Sequence, residues 1–131
     1  MVIASNRRLA KIREFGVRAD PTVHQLIAEL HDCDWVLVEG FKRATLPKIE
    51  IWRAALDKPV QYSHDPHVVA VCTDSPQQLP EPTALPLLDL NDADAVAAFL
   101  LRDAARFDYA APPALPAVPA GDRPVAGQAG Q

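Results

Sequence analysis

Glu39 is the side chain on which chemistry would turn. It closes the run Asp34-Trp35-Val36-Leu37-Val38-Glu39, and Gly40, Phe41 and Lys42 follow at once. Four consecutive apolar residues read as a strand covered on both faces, the pattern of a parallel sheet. A carboxylate at the last position of such a strand stands at the carboxyl edge, where open α/β sheets receive their ligands; the plainer alternative is a solvated strand end. His67 to Thr73 is a second, β-branched run, expected beside the first, and it ends in Thr73-Asp74 at the same edge. An Asp there can accept hydrogen bonds from the N–H groups on the Watson–Crick edge of guanine, although an Asp before Ser75-Pro76 also suits a turn. Ser5, Arg7 and Arg8 end the opening strand and could hold an anion; exposed arginines more often only solvate a face.

Other chemistries find less support. His31, Cys33, His64, His67 and Cys72 tempt a metal reading, but zinc sites need ligand pairs at fixed short separations, and His64-x-x-His67 straddles Pro66. No Ser or Cys carries a nucleophile signature such as G-x-S-x-G. A phosphate-binding loop needs backbone N–H groups freed by glycines at a helix start. Before the carboxyl-terminal tail the only glycines are Gly16 and Gly40, and neither leads into Gly-Lys-Ser or Gly-Lys-Thr. By its own residues the chain shows no triphosphate cradle.

The elements that must position these groups follow from pattern. Val2 to Ser5 reads as a short strand, and Leu9 to Phe15 leans towards strand. Asp20-Pro21 is a good helix start, with Asp as N-cap and Pro at the first helical position. Val23, Leu26, Ile27 and Leu30 then form one apolar stripe, which predicts a helix to about His31 leading into the Asp34 to Glu39 strand. This strand, helix, strand order favours parallel pairing. Lys48 to Arg53 alternates, with Ile49 and Ile51 on one face and Lys48, Glu50 and Trp52 on a wet one, and is expected antiparallel to a neighbour. Pro76, Pro80, Pro82 and Pro86 exclude helix and ladder from Asp74 to Pro86. Leu87 to Leu90 is a last strand. Asn91 or Asp92 caps a helix that turns Val96, Phe99 and Leu100 inward.

The segment L-V-E-G-F-K followed by P-K-I-E-x-x-R, from Leu37 to Arg53, resembles the molybdopterin-guanine dinucleotide biosynthesis protein B family. The opening V-I-A-S with its two arginines, H-V-V-A-V-C-T-D at His67 to Asp74 and L-L-D-L-N-D at Leu87 to Asp92 extend the likeness from Val2 to about Leu101. Only the carboxyl-terminal portion of the family is resembled, because its strand, G-x-x-x-x-G-K-[ST] loop and histidine-rich switch have no counterpart here. The resemblance implies an incomplete α/β domain of the P-loop NTPase type: three layers and a mostly parallel sheet of four or five strands with two helices, over residues 1–107. It implies GTP and Mg²⁺ as cofactors, with Glu39 holding Mg²⁺ through water or orienting the attacking water. Lys42, Thr73, Asp74, Ser5 and Arg8 then serve as nucleotide-side residues. The family hydrolyses GTP weakly, and this chain is expected not to do so alone. The implied partners are the molybdopterin-guanine dinucleotide nucleotidyltransferase, other molybdenum cofactor proteins and a second copy in a homodimer. The alternative is a non-enzymatic interaction module whose open sheet edge a partner or second copy covers.

Composition sets outer bounds. At 131 residues the chain holds at most one domain, and the Ala/Pro-rich stretch 108–131 reads as a tail or linker. A net charge of -4 gives no electrostatic footprint for nucleic acid or an anionic membrane. The two cysteines, Cys33 and Cys72, read as buried core residues of a reducing cytoplasm. No signal peptide or membrane span is legible.

Overall fold

The computed structural model describes residues 2–12 and 20–113. They form two compact units, one reaching to Phe41 and the other from Lys42 to Ala110.

In the first unit, β1 (Val2–Ala4) and β2 (Leu9–Lys11) pair antiparallel, with Val2 opposite Lys11 and Ala4 opposite Leu9. Ser5 closes the turn between them. Its N–H donates to the Arg8 carbonyl at 2.8 Å, and its hydroxyl accepts from the Arg7 and Arg8 N–H groups at 3.4 and 3.2 Å. The rest of the expected Leu9 to Phe15 strand runs into residues 13–19, outside the described residues.

α1 (Val23–Ile27) is capped by Thr22 rather than Asp20, and it ends four residues short of His31. The reason is a capping box. Thr22 Oγ1 accepts from the Gln25 N–H at 3.3 Å while Gln25 Oε1 accepts from the Thr22 N–H at 2.8 Å. Two otherwise orphaned donors are satisfied reciprocally, which Asp20-Pro21 could not do. Val23 is buried, Leu26 and Ile27 are half-buried, and Leu30 is exposed.

The largest departure from expectation is the run Asp34 to Glu39, which forms no strand. A strand is defined by its ladder, and none of the described residues pairs with this one. The expected strand, helix, strand unit therefore does not form among them. Trp35, Leu37 and Val38 are exposed instead of buried, and so is Cys33. The run ends in two left-handed residues, Gly40 at φ 84° and Phe41 at φ 47°, the second an uncommon conformation for a side chain with a Cβ.

The second unit holds a three-stranded parallel sheet in the order β3 (Lys48–Trp52), β4 (Val68–Thr73), β5 (Leu87–Asp89). β4 is central and buried at every residue but Val69, in keeping with its unbroken apolar sequence. β3 is parallel to β4, not antiparallel, because the connection over residues 53–67 is long enough for a crossover. Its faces are also the reverse of those expected. Trp52 is 6% exposed and packs with Val60, Tyr62, Val68 and Val71, whereas Ile51 is 68% exposed. An indole buries far more surface than an isoleucine, and the two charged residues on its face find internal partners, so that face turns inward.

α2 (Ala93–Arg102) begins as anticipated. Asp92 is the N-cap and accepts from the Ala95 N–H at 2.8 Å. Phe99 is buried, with the Phe107 ring edge-on at 6.3 Å and the Arg102 guanidinium 5.9 Å above its own ring. The four prolines between Asp74 and Pro86 admit only the single 3₁₀ turn Pro76–Gln78. The class is α/β, with a parallel sheet and two α-helices among the described residues. No helix among the described residues is long and apolar enough to cross a membrane.

Candidate functional site

Sheet register brings the candidate edge together. Trp52 lies level with Thr73, and Thr73 with Asp89, so the three strands end side by side. Arg53 and Asp74 stand one residue beyond their strands, and Asp74 Oδ2 lies 3.7 Å from Arg53 Nε while Oδ1 accepts from the Ser75 hydroxyl at 2.9 Å. The Asp74 side chain is a third exposed. Thr73 is only 2% exposed, and its Oγ1 accepts from the Ser75 N–H at 3.0 Å, so it shapes the turn instead of facing outward. Next along the edge, Asp89 Oδ1 accepts from the Asn91 N–H at 2.8 Å and its side-chain amide at 3.3 Å. Asp89, Asp92 and Asp94 surround the start of α2 with carboxylates, which does not suit a phosphate there.

Glu39 belongs to the first unit, and Lys42 opens the second. Glu39 closes no strand; it is exposed and lines, with Val36 to Val38 and Phe41, a cavity of about 420 Å³ whose other wall includes α1. Lys42 is exposed at the opening of the second unit. Ser5 is spent on its own turn, and Arg8 is exposed in that turn. Among the described residues no run of backbone N–H groups forms a phosphate cradle: α1 is five residues long and α2 begins in acid.

The P-K-I-E-x-x-R segment turns out to be mostly structural. Lys48 Nζ donates to Asp65 Oδ2, while Asp65 Oδ1 accepts from the His67 N–H at 2.9 Å and lies 3.0 Å from His67 Nδ1. Glu50 accepts from the N–H groups of Gln61 at 2.8 Å and Tyr62 at 2.7 Å. Trp52 Nε1 donates to the Lys58 carbonyl at 2.9 Å, and the Tyr62 hydroxyl to the Glu81 carbonyl. Alternate residues of β3 thus hold the long connection that follows it. The sequence signal for this was available, since Lys48, Glu50 and Trp52 share a face, but nothing in it named their partners. No cluster of three His, Cys, Asp or Glu able to hold a metal occurs among the described residues.

Two ionisations are shifted by these contacts. The Lys48 hydrogen bond, followed by that from the His67 backbone, holds the Asp65 carboxyl down at about 2. A carboxyl depressed in the fold stabilises it above its unfolded pKa, and that contribution disappears as pH falls through the folded value. Denaturant midpoints of the chain are therefore expected to fall between about pH 4 and pH 2, and Asp65→Asn should flatten part of that slope. An unchanged slope in the variant would remove Asp65 as its source. Burial, with a smaller contribution from the Asp89 charge, raises the Cys72 thiol, which suits its place as an inert core residue.

Similarity to known proteins covers both units. The model of the family described as molybdopterin guanine dinucleotide synthesis protein B matches residues 1–74. The chain is 32% identical over 103 residues to the molybdopterin-guanine dinucleotide biosynthesis adapter protein of Escherichia coli (strain K12), covering 76% of this chain and 57% of that one. Its match to the adapter protein of the same description from Haemophilus influenzae is also 32% over 103 residues, with 76% and 53% covered. The chain spans a little over half the length of these curated relatives. With more than half of its residues matched, from β1 through the end of β4, the chain belongs to the molybdopterin guanine dinucleotide synthesis protein B family.

Proposed function

We propose that this chain acts as an adapter in molybdopterin-guanine dinucleotide synthesis and contributes the base-side and metal-side residues of a guanine nucleotide site without hydrolysing GTP alone. The observation that carries the reading is the family match over residues 1–74, which takes in Ser5, Arg8, Glu39, Lys42, Thr73 and Asp74. The two curated relatives, both named as adapter proteins of this synthesis, support the pathway. In the second unit, Asp74 is the group that reads guanine, because its carboxylate reaches solvent at the sheet edge while Thr73 is turned inward. Arg53 holds that carboxylate in place. Glu39, exposed at a cavity wall, is the carboxylate for Mg²⁺ through water, and Lys42 meets a phosphate or a charged partner surface. The cellular compartment of this reading is the cytoplasm, and its protein partner is the nucleotidyltransferase that joins GMP to molybdopterin.

Calorimetric titration of the chain with Mg²⁺ and GTP, and separately with Mg²⁺ and ATP, tests it. The expected result is binding that prefers GTP and is lost with Asp74→Asn, with no phosphate released. Equal affinity for GTP and ATP, or binding indifferent to both Asp74→Asn and Glu39→Gln, would defeat the nucleotide assignment. A second reading, the interaction module, is favoured by one observation: Leu37 is 81% exposed in a run of apolar residues. Under that reading the chain takes no nucleotide and captures the nucleotidyltransferase all the same.

A further inference from the structure

Arg53 and Asp74 meet because of where each lies beyond its strand. Ile51 is level with Cys72 in the ladder of β3 and β4, and Arg53 and Asp74 follow those two residues by two positions each. Side chains two apart on an extended chain share a face, so the pair projects from one side of the sheet at its carboxyl edge. Arg53 keeps an extended backbone, φ -132° and ψ 131°, which carries the alternation one residue past β3. Leu90 holds the corresponding place after β5, so Arg53 is the one cation among the residues that directly follow the three strands. At 3.7 Å, its Nε is close enough to Asp74 Oδ2 for attraction between charges and too far for a hydrogen bond. No described residue accepts from the half-exposed guanidinium, and among the described residues Oδ2 accepts no hydrogen bond while Oδ1 takes only the Ser75 hydroxyl. Both side chains therefore keep bonding capacity that faces solvent.

A carboxylate with N–H donors beside it presents two acceptors and then a donor. Guanine presents the complement along its Watson–Crick edge, where the N2 amine and N1–H donate and O6 accepts. Adenine has one donor and one acceptor there, which leaves a carboxylate oxygen without a partner. A phosphate suits the pair poorly, because the Asp74 charge stands against it. We propose that Arg53 is a specificity-determining residue of the guanine site, donating to O6 of the base while Asp74 accepts from N1–H and the N2 amine. On the reading that Asp74 faces those two donors, on which this assignment rests, O6 is the edge atom still in need of a partner. The planar guanidinium, always charged and offering several N–H groups in a fixed fork, is suited to meet it.

The test is calorimetric titration of the full 131-residue chain with Mg²⁺ and either GTP or 6-thio-GTP, in which sulfur replaces O6 alone. Sulfur accepts hydrogen bonds weakly, so the parent chain should hold GTP about tenfold more tightly, the worth of one hydrogen bond from a charged donor. In Arg53→Ala the affinity for GTP should fall about tenfold and the preference over 6-thio-GTP should vanish. The preference for GTP over ITP, which lacks the N2 amine, should survive the substitution. Equal weakening of GTP and 6-thio-GTP by Arg53→Ala overturns the proposal, because an arginine acting only through Asp74 gives that result. Unchanged GTP affinity in the variant overturns it, and so does a parent chain that binds GTP and 6-thio-GTP alike, a result that needs no variant to fold. These three outcomes leave Asp74 as the reader of guanine. A parent chain without preference for GTP over ATP removes that reading and the role of Arg53 together.

Discussion

Trp52→Ala should destabilise the second unit by about 3–5 kcal/mol, the usual cost of deleting a buried large aromatic. Three losses combine. The indole leaves a cavity against Val60, Tyr62, Val68 and Val71, its apolar surface is no longer withdrawn from water, and the Lys58 carbonyl loses its donor. A folded unit holds in total only about 0.05–0.15 kcal/mol per residue, so the loss takes a large share of its stability. Urea denaturation followed by far-ultraviolet circular dichroism checks this, with β3, β4 and β5 as the reporting structure. Trp52→Phe separates packing from bonding. It keeps most of the ring and forfeits the hydrogen bond, and a cost of about 1–2 kcal/mol is expected. A loss under about 1 kcal/mol for the alanine variant would mean that the core is centred elsewhere.

Glu50→Ala should cost about 2–4 kcal/mol, since its carboxylate is the acceptor of two part-buried backbone N–H groups, at Gln61 and Tyr62, and an unsatisfied buried donor costs about 1–3 kcal/mol. The damage should be local in its first appearance. Amide exchange at Gln61 and Tyr62 should accelerate before that of β4 changes, because the connection over residues 53–67 is released from β3 while the β3·β4 ladder persists. Glu50→Gln keeps one acceptor oxygen and should lose about half as much. Equal exchange rates at Gln61 and Tyr62 in the variant and parent proteins would show that the loop is held by its other contacts, those of Lys48, Trp52 and Tyr62.

The second prediction concerns a residue first noticed in a family signature. Lys48, Glu50 and Arg53 invite assignment to a ligand because charged residues after a strand commonly serve one. Their partners are Asp65, Gln61 with Tyr62, and Asp74, all within the chain. The signature therefore marks how β3 fastens its neighbours.

What could be read without coordinates was what depends on near neighbours along the chain. The Asp92 cap, the inward Phe99, the buried β-branched run of β4 and the exclusion of helix by four prolines each rest on residues within a turn or two of one another, where backbone sterics and short-range hydrogen bonds decide. The α1 cap was misplaced for the same kind of cause, since Thr22 and Gln25 form a stronger local pair than Asp20 and Pro21. Tertiary structure decided what depends on a distant partner. The face of β3 that turns inward is set by a loop 11 residues away in sequence accepting and donating to its charged side, as the Glu50 bonds show. Whether Trp35 to Val38 becomes a strand depends on a ladder that none of the described residues offers. Pattern can say that a segment is suited to burial; only an actual neighbour, with its N–H and C=O groups in reach, makes it a strand.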